Sequence, residues 1–245
     1  MVRILHRNIT LLLLDGKRMH KSKFFAPYRY TGCPINAIRV FSDLGSEELM
    51  LLNTTKVEDS QKYFEYLTRL PKHSSIPIAY GGNIQNIKIA GNLHRNGFDK
   101  LIFSSSVLEN PDLIRNCSEK WGKQSVSVVI NHDIEKGFFF GGEQRTWVSD
   151  LEYTPAELAK FIYDLGVGEL IIQNSARDGT RMGILENLIE LSTPFVSYFQ
   201  IVIGGGLCFD DLWKLREHSS RLGAFFGAES IFQGEANAVL PRVKP

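Results

Sequence analysis

Glu48-Leu49-Met50-Leu51-Leu52-Asn53 returns 121 positions later as Glu169-Leu170-Ile171-Ile172-Gln173-Asn174. Each copy is a short apolar run opened by a glutamate, the length of a buried strand and too short for a helix. Tyr80-Gly81-Gly82-Asn83 returns after 123 positions as Ile203-Gly204-Gly205-Gly206, and Ser106-Val107-Leu108 after 124 as Ser230-Ile231-Phe232. Gly-Gly pairs are common, so no single match decides anything. Three matches in one order, at an offset of half a 245-residue chain, read as a duplication.

Working outward, similar runs occur at Ile9–Leu14, Pro77–Tyr80, Lys100–Phe103, Ser125–Ile130, Gln200–Ile203 and Ala224–Gly227, making eight strand candidates with the repeated pair. Stretches of helical spacing lie between them at Pro34–Leu44, Ser60–Leu70, Pro111–Trp121, Pro155–Leu165 and Phe209–His218. Pro34, Pro111 and Pro155 sit where a first helical turn tolerates a missing N–H. Eight alternating β and α units predict an α/β chain folded as one (βα)8 TIM barrel. The expected organisation is a single domain, 1–245, of two similar half-barrels, about 1–122 and 123–245. Ile134–Trp147, with Phe138-Phe139-Phe140-Gly141-Gly142 at its centre, reads as a β-hairpin inserted after the fifth strand.

Lys plus Arg is 28 and Asp plus Glu is 27, a net charge of +1 that gives no footprint for nucleic acid or an anionic membrane. Hydrophobic content of 43% with 22% charged residues excludes a disordered chain. No apolar run approaches the ~18–20 residues of a spanning helix. Ile9–Leu14 is too short for the core of a signal peptide. Cys33, Cys117 and Cys208 are odd in number and without CxxC spacing, and no histidine pair has ligand spacing. Reduced thiols, a cytoplasmic location, and neither metal nor cofactor are the expectation.

Chemistry in a parallel barrel gathers at the C-terminal strand ends. There the glycine pairs after strands three and seven, Ser104, Ser105 and Ser106 after strand four, Ser230 after strand eight and Asp178-Gly179-Thr180 after strand six can present N–H and hydroxyl donors to phosphate. Loops six to eight form one cradle and loops three and four its counterpart, suiting a substrate with a phosphate at each end; the plainer reading of each glycine pair is a tight turn. At the opposite face Glu48, Glu169 and Lys100 start strands two, six and four and point into the bottom layer. Such charges must pair. A structural plug and a polar gate both satisfy that demand.

From about Ile9 to Phe232 the chain resembles the cyclase (HisF) subunit family of imidazole glycerol phosphate synthase. Leu14-Asp15-Gly16, Tyr80-Gly81-Gly82, Asp99-Lys100, Val107-Leu108-Glu109-Asn110-Pro111 and Gly168-Glu169-Leu170 carry the resemblance, and Ala176-Arg177-Asp178-Gly179-Thr180 carries it furthest. The resemblance implies a barrel partnered by a glutaminase (HisH-like) subunit, whose ammonia enters at the bottom and reacts at the top with a ribulosyl substrate bearing two phosphates. It places Gly82, Ser104 and Ser105 at one phosphate and Asp178, Gly179, Thr180, Gly205 and Ser230 at the other. His6, Glu48, Lys100 and Glu169 fall on the ammonia gate, with His6 where the family has arginine and Arg3 and Arg7 nearby. Asp99 matches an aspartate that meets the glutaminase.

The departures fall on the proton-transfer pair. The family's two catalytic aspartates are expected at Leu12 and Asn131. Leucine transfers no proton and asparagine is no base near neutral pH. Asp15 and Asp133 are the candidate substitutes. Ala176 also replaces an acidic residue. The chain resembles the divergent branch of the family found with polysaccharide genes, in which the barrel hands ammonia to a third protein that amidates a sugar; the basic stretch Lys17–Phe25 and the short tail ending at Leu240-Pro241 fit that branch. The expected function is an ammonia-conducting barrel with little cyclase activity. The alternatives are a working histidine-pathway cyclase and a stand-alone phosphosugar-binding or isomerase barrel.

Overall fold

The computed structural model describes residues 7–55, 60–142, 144–233 and 239–243. Eight parallel strands close into a barrel: β1 (Asn8–Asp15), β2 (Glu48–Asn53), β3 (Ile78–Gly81), β4 (Lys100–Phe103), β5 (Val126–Asp133), β6 (Glu169–Asn174), β7 (Gln200–Gly204) and β8 (Leu222–Phe226). Closure comes from β8 pairing with β1, with Asn8 opposite Ala224 and Thr10 opposite Phe226. The connections carry helices α1 (Pro34–Asp43), α2 (Ser60–Leu67), α3 (Ile87–Arg95), α4 (Ser106–Glu109), α5 (Pro111–Trp121), α6 (Pro155–Asp164), α7 (Glu186–Val196) and α8 (Asp211–His218). Among the described residues no helix is long and apolar enough to cross a membrane.

The helices start where their first turns find partners. Pro34, Pro111 and Pro155 open α1, α5 and α6, and Thr154 and Glu157 form a capping box ahead of α6. Asn86 caps α3 by accepting from Lys88 N and Ile89 N, a start signal passed over in the sequence because Gly91 weakens the helical pattern behind it. Several expected boundaries move. Ser125 belongs to a 3-10 turn rather than to β5, which runs on to Asp133; β8 begins at Leu222; α2 ends at Leu67 because a short turn starts at Pro71.

Strand alternation divides the apolar residues into two layers. Ile9, Leu11, Met50, Ala79, Ile102, Ile171, Val202 and Phe225 pack inside the barrel. Leu12, Leu14, Leu49, Leu51, Leu170, Ile172 and Phe226 face the helices, where Ile38 and Phe41 of α1 and Leu158 and Ile162 of α6 meet them. Each such side chain taken from water contributes about 1.5–3 kcal/mol.

Two additions ride on the C-terminal rim. The stretch after β5 doubles back as Gly137–Phe140, antiparallel to β5, and then Thr146–Trp147. The basic stretch Lys17–Phe25 forms part of a hairpin, Arg18–Lys23 against Ala26–Gly32, continuing antiparallel from β1. Its turn, Phe24-Phe25, puts both residues in the left-handed region (φ 53° and 64°). Asn-Gly is the usual choice there, so the sequence carries no hairpin signal.

The repeated motifs meet in matching ways. A Cβ at Gly82 (φ +111°) would overlap the Asn53 carbonyl oxygen, and one at Gly205 (φ +93°) would overlap that of Asn174. Glycine is therefore required by packing at both positions, whatever else the backbone there binds. Gly205→Ala is expected to destabilise the chain by about 3 kcal/mol, combining a left-handed backbone with a backbone clash; urea unfolding that shifts by less than about 0.5 kcal/mol would show that the loop relaxes freely.

Candidate functional site

The bottom of the barrel is closed by charge. Glu48 and Glu169 open β2 and β6 with side chains only 8% exposed, and Lys100 opens β4 between them. Lys100 Nζ lies 3.2 Å from Glu48 Oε2 and 3.2 Å from Glu169 Oε2. The Arg7 guanidinium donates to both carboxylates from the opposite side. Ser127 Oγ adds a donor to Glu169 Oε1 at 3.0 Å. Burial pushes Glu169 up, but Arg7 and Lys100 outweigh it and hold the carboxylate below 4.5. Burial likewise opposes the Arg7 charge, and Glu169 and Glu48 more than restore it. The expected fourth member, His6, lies outside the described residues; Arg7 supplies the cation in the ring. Asp99 is exposed on the same face, with Oδ2 accepting from Ile78 N at 2.8 Å.

Arg7 also fixes which residues of β1 point inward. Arg7, Ile9, Leu11 and Leu13 share the inner face, and Leu12 is fully buried among the outer-layer side chains. The expected catalytic position at Leu12 is therefore corrected: the residue at the mouth of the barrel is Leu13, half-buried against the inner cluster. Counting by twos from Arg7 yields this position, whereas counting back from Asp15-Gly16 crosses the turn where β1 leaves the barrel and loses the parity. Asn131 does face inward; it lies opposite Gln173 of β6, and its amide donates to Gly141 O at 2.8 Å.

The two substitute carboxylates are differently placed. Asp133 Oδ1 accepts from Glu135 N and Lys136 N at 3.0 and 3.2 Å, which caps the hairpin turn. Asp15 is exposed and paired opposite Arg18 at the rim. His132, beside Asp133, is buried on the outer side against Phe138, and burial lowers its pKa.

The mouth holds a cleft lined by Leu11, Leu13, Lys21, Asp178, Gly179 and Gly205, among others. Asp178 and Gly179 come from the loop after β6 and Gly205 from that after β7, so three of the residues assigned to one phosphate site share a wall. Asp178 is buried and accepts from Ser22 Oγ at 2.6 Å, Phe25 N at 3.1 Å and, through Oδ1, Gln173 Nε2 at 3.4 Å. Burial raises its pKa against those donors. The left-handed Phe24-Phe25 turn is thus pinned across the mouth. Thr180 Oγ1 donates to Arg177 O at 2.7 Å, and Ser230 is buried beside the cleft residue Ile231. On the other side, Ser104 Oγ accepts from Gly141 N at 3.0 Å, tying the loop after β4 to the inserted hairpin, while Ser105 and Gly82 remain part-exposed.

Lys21 was not singled out by sequence. Its ammonium donates to Ile231 O at 2.9 Å, and its pKa is lowered by burial and by the nearby Arg181 and Arg29. Lys21 beside the Gly179 and Gly205 backbone is a donor suited to an anion, whereas Arg181 is ion-paired with Glu229. A basic residue in a strand of alternating Lys, Arg and His gives no sequence sign of which side faces the mouth. Among the described residues no cluster of His, Cys, Asp or Glu could hold a metal ion.

Comparison with known proteins bears on this arrangement. Residues 10–237 match the family described as Histidine biosynthesis protein. A Vibrio vulnificus protein with the provisional name imidazole glycerol phosphate synthase subunit hisF3 is 29% identical over 96% of this chain and 91% of its own length. A Pseudomonas aeruginosa protein provisionally named subunit hisF2 is 32% identical over 96% and 94%. The imidazole glycerol phosphate synthase subunit HisF of Staphylococcus epidermidis is 30% identical over 82% and 80%.

The ring generates a pH prediction. Glu169 is depressed in the folded chain, so its contribution is present above the unfolded carboxylate pKa and is lost as pH falls through the lower folded value. Glu169→Gln is expected to lower stability by about 3 kcal/mol at pH 7, because it leaves Arg7 and Lys100 short of a counter-charge. Its stability is also expected to fall less steeply below pH 4.5 than that of the parent. Chemical denaturation on both sides of that value reads both effects, and parallel pH curves would remove Glu169 as their source.

Proposed function

The chain belongs to the histidine biosynthesis protein family, among its HisF-type cyclase subunits, and we propose that it works as the ammonia-receiving barrel of a glutamine-dependent amidotransferase with its own ring-closing chemistry lost or much weakened. The observation that carries this reading is a contrast between the two ends. The bottom keeps a complete ring of Arg7, Glu48, Lys100 and Glu169, and the inner positions at the tops of β1 and β5 are Leu13 and Asn131, neither of which moves a proton.

In this reading a HisH-like glutaminase docks on the bottom face around Asp99 and the ring. Ammonia passes upward, and the mouth holds a phosphorylated ligand against Lys21, Gly179 and Gly205 on one side and Gly82, Ser104 and Ser105 on the other. A third protein accepts the ammonia there, and amidation of a sugar for surface polysaccharide is the acceptor reaction. The barrel acts by binding and exclusion: the apolar inner layer is a poor place for ammonium and a tolerable one for neutral ammonia. A histidine-pathway cyclase needs a proton-transfer pair, and Asp133 and Asp15 are placed as a turn cap and a rim residue. An isomerase barrel wants the same pair.

The test uses the purified chain, the bisphosphorylated ribulosyl substrate and excess ammonium salt, with imidazole glycerol phosphate followed directly. Ammonium bypasses the glutaminase, so the assay asks only whether the barrel closes the ring. No turnover is expected from the chain or from Asn131→Asp alone; Leu13→Asp with Asn131→Asp is expected to bring turnover up by at least about 10²-fold over that background. Robust turnover by the unaltered chain would establish the cyclase instead. In the complex with its glutaminase, Lys100→Met is expected to leave glutamine hydrolysis running while ammonia delivery to the acceptor falls about tenfold or more, and undiminished delivery would reduce the ring to a structural plug.

A further inference from the structure

His20 stands directly opposite Leu13 in the antiparallel pairing of β1 with the hairpin, so its side chain shares the face that Leu13 turns to the mouth. Along the hairpin the pairing slips twice, between Met19 and His20 and between Lys21 and Ser22. Such irregularities re-aim side chains. Here they leave His20 and Lys21, consecutive in the chain, both lining the mouth cleft with Gly179 and Gly205. His20 is only 7% exposed.

The imidazole is held from one side. Its Nε2 lies 3.2 Å from Thr54 Oγ1, and that hydroxyl donates its one hydrogen to Leu14 O at 3.3 Å. Thr54 is therefore the acceptor, Nε2 carries the ring proton, and Nδ1 is left with a bare lone pair. Nδ1 is buried and has no hydrogen-bond partner among the described residues. Burial lowers the pKa of the ring below 6.5 against the pull of Asp15 and Asp178, so the imidazole is neutral at pH 7. A buried acceptor without a donor is costly, and one in the wall of a cleft marks where a ligand supplies the donor. His132 also leaves Nδ1 buried and unpartnered, but it packs against Phe138 on the outer side of β5.

We infer that His20 is a ligand-binding residue of the mouth, where Nδ1 accepts a hydrogen bond from a hydroxyl of a sugar phosphate whose phosphate lies against Lys21 and the Gly179 and Gly205 backbone. The inference rests on the phosphate reading of the mouth above and deepens it by naming the ligand class, a phosphate ester that brings its own hydroxyl donor. The Lys21 ammonium and the glycine N–H groups are donors and suit any phosphate. The Asp178 oxygens are engaged by Ser22, Phe25 and Gln173, and His20 Nδ1 adds an open acceptor to the same wall. A site built to pair with a ligand hydroxyl discriminates against an ester that lacks one, because its buried polar atom is then left unpaired.

Calorimetry on the purified chain compares ribose 5-phosphate with methyl phosphate, which has the ester and no hydroxyl. The parent is expected to bind the sugar ester about tenfold more tightly, the worth of one buried hydrogen bond. His20→Phe keeps a ring and removes the acceptor, and is expected to bind the two esters alike; His20→Gln, with an amide donor for Thr54 and a carbonyl for the cleft, is expected to keep part of the preference. Nitrogen-15 NMR of the parent supplies a readout that needs no variant to fold. The His20 Nδ1 resonance is expected to be that of an unprotonated nitrogen in the free chain, to move upfield with ribose 5-phosphate and to stay in place with methyl phosphate. Equal affinities in the parent, a preference that persists in folded His20→Phe, or an Nδ1 resonance unmoved by the bound sugar ester overturns the assignment of His20. Failure of the parent to bind either ester overturns the phosphate reading of the mouth instead, and the inference falls with it.

Discussion

Two carboxylates placed inside a barrel must be neutralised where they stand, and that demand organises the whole molecule. Glu48 and Glu169 are nearly buried, and ions left alone there would cost several kcal/mol each. Arg7 and Lys100 reach them from opposite sides, which fixes the inward face of β2, β4 and β6 at their first residues and of β1 at the residue before it. From there alternation does the rest. The inner face becomes apolar for two layers and ends at Leu13, Leu52, Asn131 and Gln173, so the chemistry available at the mouth is decided by a charge arrangement at the far end.

Much of this was legible in the sequence. The paired glutamate-led runs give β2 and β6 to the residue, and Lys100–Phe103 and Pro111–Trp121 stand as read. These succeed because a buried parallel strand is a short continuous apolar run with sharp ends, and because proline marks a helix start. What was not legible has physical causes as well. The Leu11–Leu14 run has no polar residue to reveal its alternation, so the inward position slid by one from Leu13 to Leu12. The Arg18–Gly32 hairpin turns through two phenylalanines in a conformation that sequence rules reserve for glycine and asparagine, and it is held there by Asp178, 153 residues away from Phe25.

The site follows the same division. Gly179 and Gly205 could be placed from the repeat and its neighbouring loop, because a close approach between loops demands glycine. Where the side chains of Lys21 and Gln173 point depends on which face of a strand is turned to the mouth. That information resides in long-range pairing. The Asp178 carboxylate shows the cost of reading a motif by itself: within Asp-Gly-Thr it looks like an anion-site turn, and in the folded chain its oxygens are engaged by Ser22, Phe25 and Gln173.

The two halves of the chain contribute unequally at the charged end. The first half contributes Arg7, Lys100 and Glu48, and the second contributes only Glu169; at the position 123 residues beyond Lys100, the second half has Gly223. A first half-barrel on its own would carry two cations to one carboxylate, and two copies of it assembled about a twofold axis would crowd four cations around two carboxylates. Two copies of the second half would face carboxylate with carboxylate. A ring that neutralises itself therefore needs a contribution from each half of the chain.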